Sequence, residues 1–374
     1  MKKFLALALA LCMVFALCAC GQQAAAPAAA PAAEEAAPAA EEAAAPAEAA
    51  PAEKIPLKMS HHPYMHALPS IYNVENGLYD CFDYTIDYYA GGPVQNEAIA
   101  SGAWEVGTTG IGGAVLGIPG YNMKLLGIAQ DEAITMDAWC RADSALAKCE
   151  CDEIGVRGTA EDWKGLDILI ATGTNTHLAC IKTLDHLGLT ESDVNLIDCS
   201  SVPNIFASFM AGEGDVAFVW APYGYTFILD EANYSKVCDV SMFGISMPTL
   251  VMCTEEAYNN RPEVVKQWLE LYYKGVDGLM ADTAAAAELL NDFEEEQGIV
   301  MDLETANMEF QYRPFLSLDE VKEYFVPDEN GVTKMYTTIM DYAAFNVAMG
   351  KMTQEEWDEM AKMDFVSDFI LDIE

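Results

Sequence analysis

Basic residues are scarce in this chain of 374 residues: 19 Lys and Arg stand against 59 Asp and Glu, a formal net charge of −40. Such a surface repels nucleic acid and anionic lipid at long range, and any anionic ligand must find a local site that overcomes the global field. Enzyme signatures are missing too. No His-Glu-x-x-His occurs, and Gly244-Ile245-Ser246-Met247-Pro248 places Pro248 where a nucleophile elbow needs glycine. The glycines from Gly107 to Gly113 make no nucleotide loop: no Gly-Lys-Ser/Thr follows, and Gly-x-Gly-x-x-Gly fails at Val115. Beyond the N-terminal segment no run is apolar enough, for long enough, to cross a bilayer. Histidine is rare, with five in all, yet three fall in His61-His62-Pro63-Tyr64-Met65-His66.

What is present begins with an address. Met1-Lys2-Lys3 is a positive n-region, Phe4 to Ala16 an apolar h-region, and Leu17-Cys18-Ala19-Cys20 has the shape of a lipobox. Residues 1–19 therefore read as a signal peptide, and Cys20 as the lipidated N-terminus of an extracytoplasmic protein anchored to the bacterial cell membrane. Residues 20–53 are nearly all Ala, Pro and Glu, and the repeated prolines break any helix, so this part reads as a disordered tether. Of eleven cysteines, Cys81, Cys140, Cys149, Cys151, Cys180, Cys199, Cys238 and Cys253 remain after the signal and Cys20. Export invites disulfides, but a domain this large needs no staples and most of these lie in apolar stretches, which favours buried free thiols. Cys149-x-Cys151 is the one pair in a polar loop that could oxidise.

From Lys54 the rhythm is α/β. Strands are expected at Ile55–Ser60, Tyr84–Tyr89, Glu105–Thr108, Lys124–Ala129, Ala138–Arg141, Asp167–Ala171, Val194–Asp198, Val216–Trp220 and Thr249–Cys253. Helices are expected at Leu68–Asn76, Val94–Ala100, Thr172–Leu187 and Val202–Met210 and throughout the C-terminal part, with a glycine-rich loop between Thr108 and Lys124. One junction occurs twice. Ala98 to Gly107 and Ala207 to Ala217 each run from a helical stretch into Gly, an acid, Val and a small residue. Glycine stops the helix, the acid (Glu105 or Asp215) sits in the solvated turn, and Val106 or Val216 opens a buried strand. Two such units predict two related lobes with a cleft between them.

In order and spacing these elements resemble the type II periplasmic-binding-protein fold, specifically the solute receptors of the nitrate, sulfonate and taurine import group (NMT1/THI5-like). The resemblance spans nearly all of Lys54 to Glu374. It rests on Gly77-Leu78-Tyr79, Ala90 to Gly113, Trp163-Lys164-Gly165, Thr172 to His177, Ala211 to Tyr223 and Arg261-Pro262-Glu263-Val264-Val265. Ala221 stands where an acid is common in that group, Trp104-Glu105 replaces its usual short acidic pair, and Leu146 to Arg157 has no counterpart. The resemblance implies an α/β fold of two lobes with mainly parallel sheets, joined by two crossover strands, and a helical C-terminal part. Residues 54–138 and 250–374 would form lobe 1 and residues 139–249 lobe 2. It implies no catalysis and no cofactor. The chain would be a monomeric receptor that captures a small solute and delivers it to the permease of an ABC importer.

The ligand-binding residues expected from this reading are His61, His62, Tyr64, Gly92, Thr108, Thr109, Gly110, Thr174, Asn175, Thr176, Trp220 and Tyr223. Thr174-Asn175-Thr176 open a helix, where orphan amides and the helix dipole suit an anion, although a plain Ser/Thr/Asn cap reads the same way. Thr108-Thr109-Gly110 face them by the same logic, with Gly92 in the turn beside them. Imidazoles and a phenol from His61, His62 and Tyr64 would add donors without fixed charge. Trp220 and Tyr223 would supply flat apolar faces. Arg141 could meet an anion or a surface acid. Sulfonate, nitrate or a similar small anion is the expected solute. A pyrimidine, thiamine-precursor or other aromatic solute is the alternative, followed by a metal on His61, His62 and His66 and, last, an exported enzyme on the same fold.

Overall fold

The computed structural model describes residues 53–363, 365 and 367–373. The signal segment, the lipidation expected at Cys20 and the tether to residue 52 lie outside the described residues. The compact unit runs from Glu53 and is built on two five-stranded sheets.

The first sheet holds β1 (Ile55–His61), β2 (Phe82–Tyr88), β3 (Val106–Gly110) and β4 (Lys124–Asp131) together with β10 (Pro248–Cys253). The second holds β5 (Met136–Arg141), β6 (Asp167–Ile170), β7 (Asn195–Asp198), β8 (Val216–Trp220) and β9 (Tyr234–Asp239). The orders are β2-β1-β3-β10-β4 and β7-β6-β8-β5-β9. β1 pairs parallel with β2 and β3, as β6 does with β7 and β8, while β10 and β5 run antiparallel to both of their neighbours. Each sheet is thus mixed, with four strands running one way as expected and the strand that crosses from the other half inserted reversed between two of them.

The doubled junction has a sharper meaning here than its turn alone suggested. Val106 and Val216 open β3 and β8, which hold the same place in the two sheets. Gly102 (φ 65°) and Gly212 (φ 95°) take the left-handed conformation that ends each preceding helix. The acids do not merely sit in solvent. A Glu105 carboxylate oxygen accepts the Lys58 amide at 3.1 Å, and an Asp215 oxygen accepts the Asp167 amide at 2.9 Å. Each acid therefore ties the start of its strand to the neighbouring parallel strand, an ordered role that the sequence reading missed.

Sheet membership changes between Asp131 and Met136 and again between Asp239 and Pro248, somewhat ahead of the division expected at 138/139. The two crossings are bonded side by side. Asp131 Oδ1 accepts the amides of Ala133 (3.0 Å) and Met247 (2.9 Å), and the Glu132 amide donates to the Met247 carbonyl at 3.0 Å.

Helices Leu68–Glu75 and Pro262–Ala281 pack together over the first sheet. From the second helix, Trp268 is fully buried with its indole N–H 3.2 Å from Met59 sulfur, and the Tyr272 hydroxyl donates to the His66 carbonyl at 2.9 Å. Full burial of such side chains stabilises by roughly 1.5–3 kcal/mol each, and this pair also fixes the backbone of the histidine loop. The second sheet has its own aromatic core around Trp139, Phe209 and Phe227. Among the described residues no helix is long and apolar enough to cross a membrane. All eight cysteines are free, with Cys140, Cys180, Cys238 and Cys253 buried.

Candidate functional site

The carboxyl ends of β1, β2 and β3 face those of β6 and β8 across a cavity of about 270 Å³. Sheets of this kind place ligands there because helices start where strands end. Three helix starts line this cavity. They are Gly91-Gly92-Pro93 before helix Gly92–Ile99, Gly110 and Gly112-Gly113 at helix Ile111–Tyr121, and Thr174-Asn175 at helix Asn175–Leu187. The first amides of a helix have no intrahelical acceptor and carry its positive end. The cavity therefore gathers uncharged positive potential from both halves of the molecule.

The glycine-rich stretch expected as a loop is helix Ile111–Tyr121, although Gly112, Gly113, Gly117, Gly120 and Pro119 all lower helix propensity. Close packing is what those glycines permit. A Cβ on Gly113 would lie 2.6 Å from Thr109 Oγ1 and 2.8 Å from Gly92 Cα, so two helix starts touch through bare backbone. Gly113→Ala is expected to cost roughly 1–3 kcal/mol through overpacking, read as a lower urea midpoint. An unchanged midpoint would mean that the two helices part freely.

Of the expected residues, His62, Tyr64, Gly92, Gly110, Thr174, Asn175 and Trp220 line the cavity. His61, Thr108, Thr109, Thr176 and Tyr223 stand behind it. Thr108 lies in β3, and its hydroxyl meets His61 Nδ1 at 2.6 Å and His66 Nδ1 at 2.7 Å. One hydroxyl gives its hydrogen to one ring and receives from the other. Thr109 Oγ1 backs His62 Nε2 at 3.4 Å. Thr176 is buried, its hydroxyl accepting the Ala171 amide at 3.0 Å, as a local cap does. The Tyr223 ring packs on Phe206, centroids 5.4 Å apart. Arg141 lies away from the cavity, bonded to the Gly214 carbonyl and stacked over Phe209.

The imidazoles are neutral. Burial, with His62 nearby, pushes His61 down to about 3, and burial pushes His62 down to about 4 against the opposing influence of the Gln95 side chain. Burial and the neighbouring rings hold His66 well below its ordinary range. His61 and His66 both turn onto Thr108, and among the described residues no group of three or more His, Cys, Asp or Glu is placed to hold a metal.

Several cavity residues escaped the sequence reading. Glu132 and Arg313 line one wall. Arg313 is nearly fully buried, with Nη2 2.7 Å from Glu309 Oε1, Nε on the other Glu309 oxygen and Nη1 on Glu132. Tyr225 donates to Glu309 at 2.9 Å. Glu294 is fully buried, and neither carboxyl oxygen has a hydrogen-bond partner. Helix Lys334–Ala348 contributes Tyr342, whose hydroxyl bonds Asn175 Oδ1, and just beyond it Lys351 Nζ donates to the Gly173 carbonyl at 2.6 Å. The Glu309–Arg313 spacing of four was the only local signal for any of these.

Residues 158–286 match the family model described as NMT1/THI5 like. The chain is 26% identical over 283 residues to a protein of Brachyspira hyodysenteriae, covering 74% of this chain and 80% of that one; its name places it provisionally among ABC transporter periplasmic binding proteins. Among solved structures, the periplasmic aliphatic sulphonate binding protein SsuA from Escherichia coli superposes with a TM-score of 0.66 at 14% identity, over 83% of this chain and 92% of that one. The alkanesulfonate-binding protein SsuA from Xanthomonas axonopodis pv. citri, bound to MOPS, gives a TM-score of 0.61 at 17% identity, over 81% and 96%. The architecture of the chain is thus the periplasmic-binding-protein fold.

Proposed function

Starting from a periplasmic-binding-protein fold with an NMT1/THI5-like segment, we propose that this chain is the extracytoplasmic solute-binding component of an ABC import system, held at the membrane by a lipid on Cys20. Its solute is a small organic anion, an organosulfonate in the first instance, delivered to a permease by a monomeric receptor without catalysis. The observation that carries this reading is the meeting of three helix starts at one cavity. Their amides hold an anionic group, while Met136, Leu116 and Trp220 offer apolar wall to an organic body. Nitrate would leave that wall uncovered. The two halves close through the paired crossings at residues 132–135 and 240–247.

A second reading, an uncharged aromatic solute such as a pyrimidine, draws on the neutral His62 and His66 beside Tyr64 and Trp220. A thermal-shift series with alkanesulfonates, arylsulfonates, nitrate and pyrimidines separates the two. At a hundredfold excess over Kd a bound solute stabilises by about 2.7 kcal/mol, so sulfonates are expected to raise the melting temperature by several degrees. A response to pyrimidines alone would transfer the assignment to the second reading, and no response to either class would remove both.

A further inference from the structure

We infer that Lys351 is the cation that pairs with the solute's anionic group, and that it makes closure of the cleft depend on the solute's charge. The inference rests on the anion reading above.

Charge supply in the cavity leaves little choice. Arg313 is the other cation in the wall, and each of its three nitrogens donates to Glu309 or Glu132. That cluster carries no surplus positive charge. Lys351 makes no ion pair among the described residues, and the contact its ammonium makes is one hydrogen bond to the Gly173 carbonyl. Glu97 and Glu356 lie near it, in the wall of an adjoining pocket of about 230 Å³, but neither pairs with it. A lysine bound only to a carbonyl loses little when an anion replaces that oxygen, and gains a charge-assisted bond.

Placement makes the pairing consequential. Gly173 directly precedes the Thr174-Asn175 helix start, so Nζ is already poised at one of the three amide clusters. Lys351 itself follows helix Lys334–Ala348, which packs on helix Ile111–Tyr121 of the first half. The same helix sends Tyr342 to Asn175. One element of the first half therefore reaches the amides of the second at two points. Pro93, Leu116 and Lys351 are also the residues shared by the main cavity and the adjoining pocket, which leaves the ammonium room to swing. Lys351 already reaches across the cleft to Gly173; an anion seated on the helix start replaces that carbonyl with a charged partner, whereas an uncharged solute of the same shape leaves the ammonium on the carbonyl.

The test is titration calorimetry of the full-length protein with butanesulfonate and with its neutral isostere, butyl methyl sulfone, on wild type, Lys351→Met and Lys351→Arg. Lys351→Met is expected to weaken butanesulfonate at least about tenfold, to leave the sulfone within a factor of about two, and to flatten the salt dependence of sulfonate binding. Lys351→Arg restores most of the loss. A structural role would weaken both ligands alike, and unchanged circular dichroism and melting would exclude misfolding. If Lys351→Met binds butanesulfonate as wild type does, the inference falls while the receptor reading stands. If wild type binds no organosulfonate at all, the anion reading fails and takes this inference with it.

Discussion

Glu294→Gln is expected to stabilise the protein at pH 8 by several kcal/mol while changing it little at pH 5. Burial, aided by the nearby Glu309 and opposed by Arg313, pushes the Glu294 carboxyl up to about 8. Arg313 cannot rescue it, because that guanidinium already serves Glu309 and Glu132. The folded state therefore holds a proton that the unfolded chain releases near pH 4.5. Stability from this group is complete below pH 4.5 and is lost as pH rises through about 8. Between pH 5 and pH 8 the loss amounts to roughly 3 kcal/mol, a large share of a typical domain's stability. Glutamine has the same shape and no proton to lose. Urea unfolding of both proteins at the two pH values measures the difference directly, and parallel curves would mean that Glu294 is solvated or paired when folded.

Much of the frame was legible because it depends on local rules. Glycine at a helix end, an acid, then a β-branched residue gives the same junction at Val106 and Val216, and the structure puts both at equivalent strands. What failed has physical reasons. Helix Ile111–Tyr121 defies propensity because its glycines allow contact with Gly92, a tertiary benefit invisible in the segment itself. β9 (Tyr234–Asp239) pairs along one side only and mixes polar with apolar residues, so it carries no clear period. Thr108 was expected to offer its hydroxyl to a ligand. The strand runs two residues past its expected end at Thr108, and the Thr108 hydroxyl is taken up by His61 and His66 instead.

The wall of the cavity built by the C-terminal part was the least legible. Arg313, Tyr342 and Lys351 come from the helical C-terminal third, and each meets its cavity partner across a long sequence separation. No periodicity marks such a meeting. The scarcity of basic residues did hold a clue: a chain with so few cations and a buried Arg has to neutralise it, so the cation left over for a ligand must be sought elsewhere. The carboxylates of Glu132 and Glu309, with the protonated carboxyl of Glu294 beside them, meet one guanidinium and make this end of the cavity electrically costly for an anion. The helix starts and Lys351 lie on a different part of the cavity wall.

The histidine loop leads to the second large effect. His62→Gln is expected to lose roughly 2 kcal/mol less than wild type when pH falls from 6.5 to 4.5. Burial lowers the folded value of His62 to about 4, so below its ordinary value of 6.5 the unfolded chain takes up a proton that the folded one refuses. Stability is whole above pH 6.5 and drains away as pH falls toward 4. His61 and His66 work in the same direction. Glu294, and Asp137 with its carboxyl pushed up to about 7 by burial, work in the opposite direction over much of the same range. The wild-type curve alone is therefore a shallow sum of opposed slopes, and only the difference between wild type and variant isolates the ring. Glutamine can keep the bond to Thr109 and cannot be charged. Denaturant unfolding of both proteins at the two pH values reads that difference. Should the two proteins fall together, His62 must accept its proton while folded, and the cleft would turn positive in mild acid instead of staying neutral.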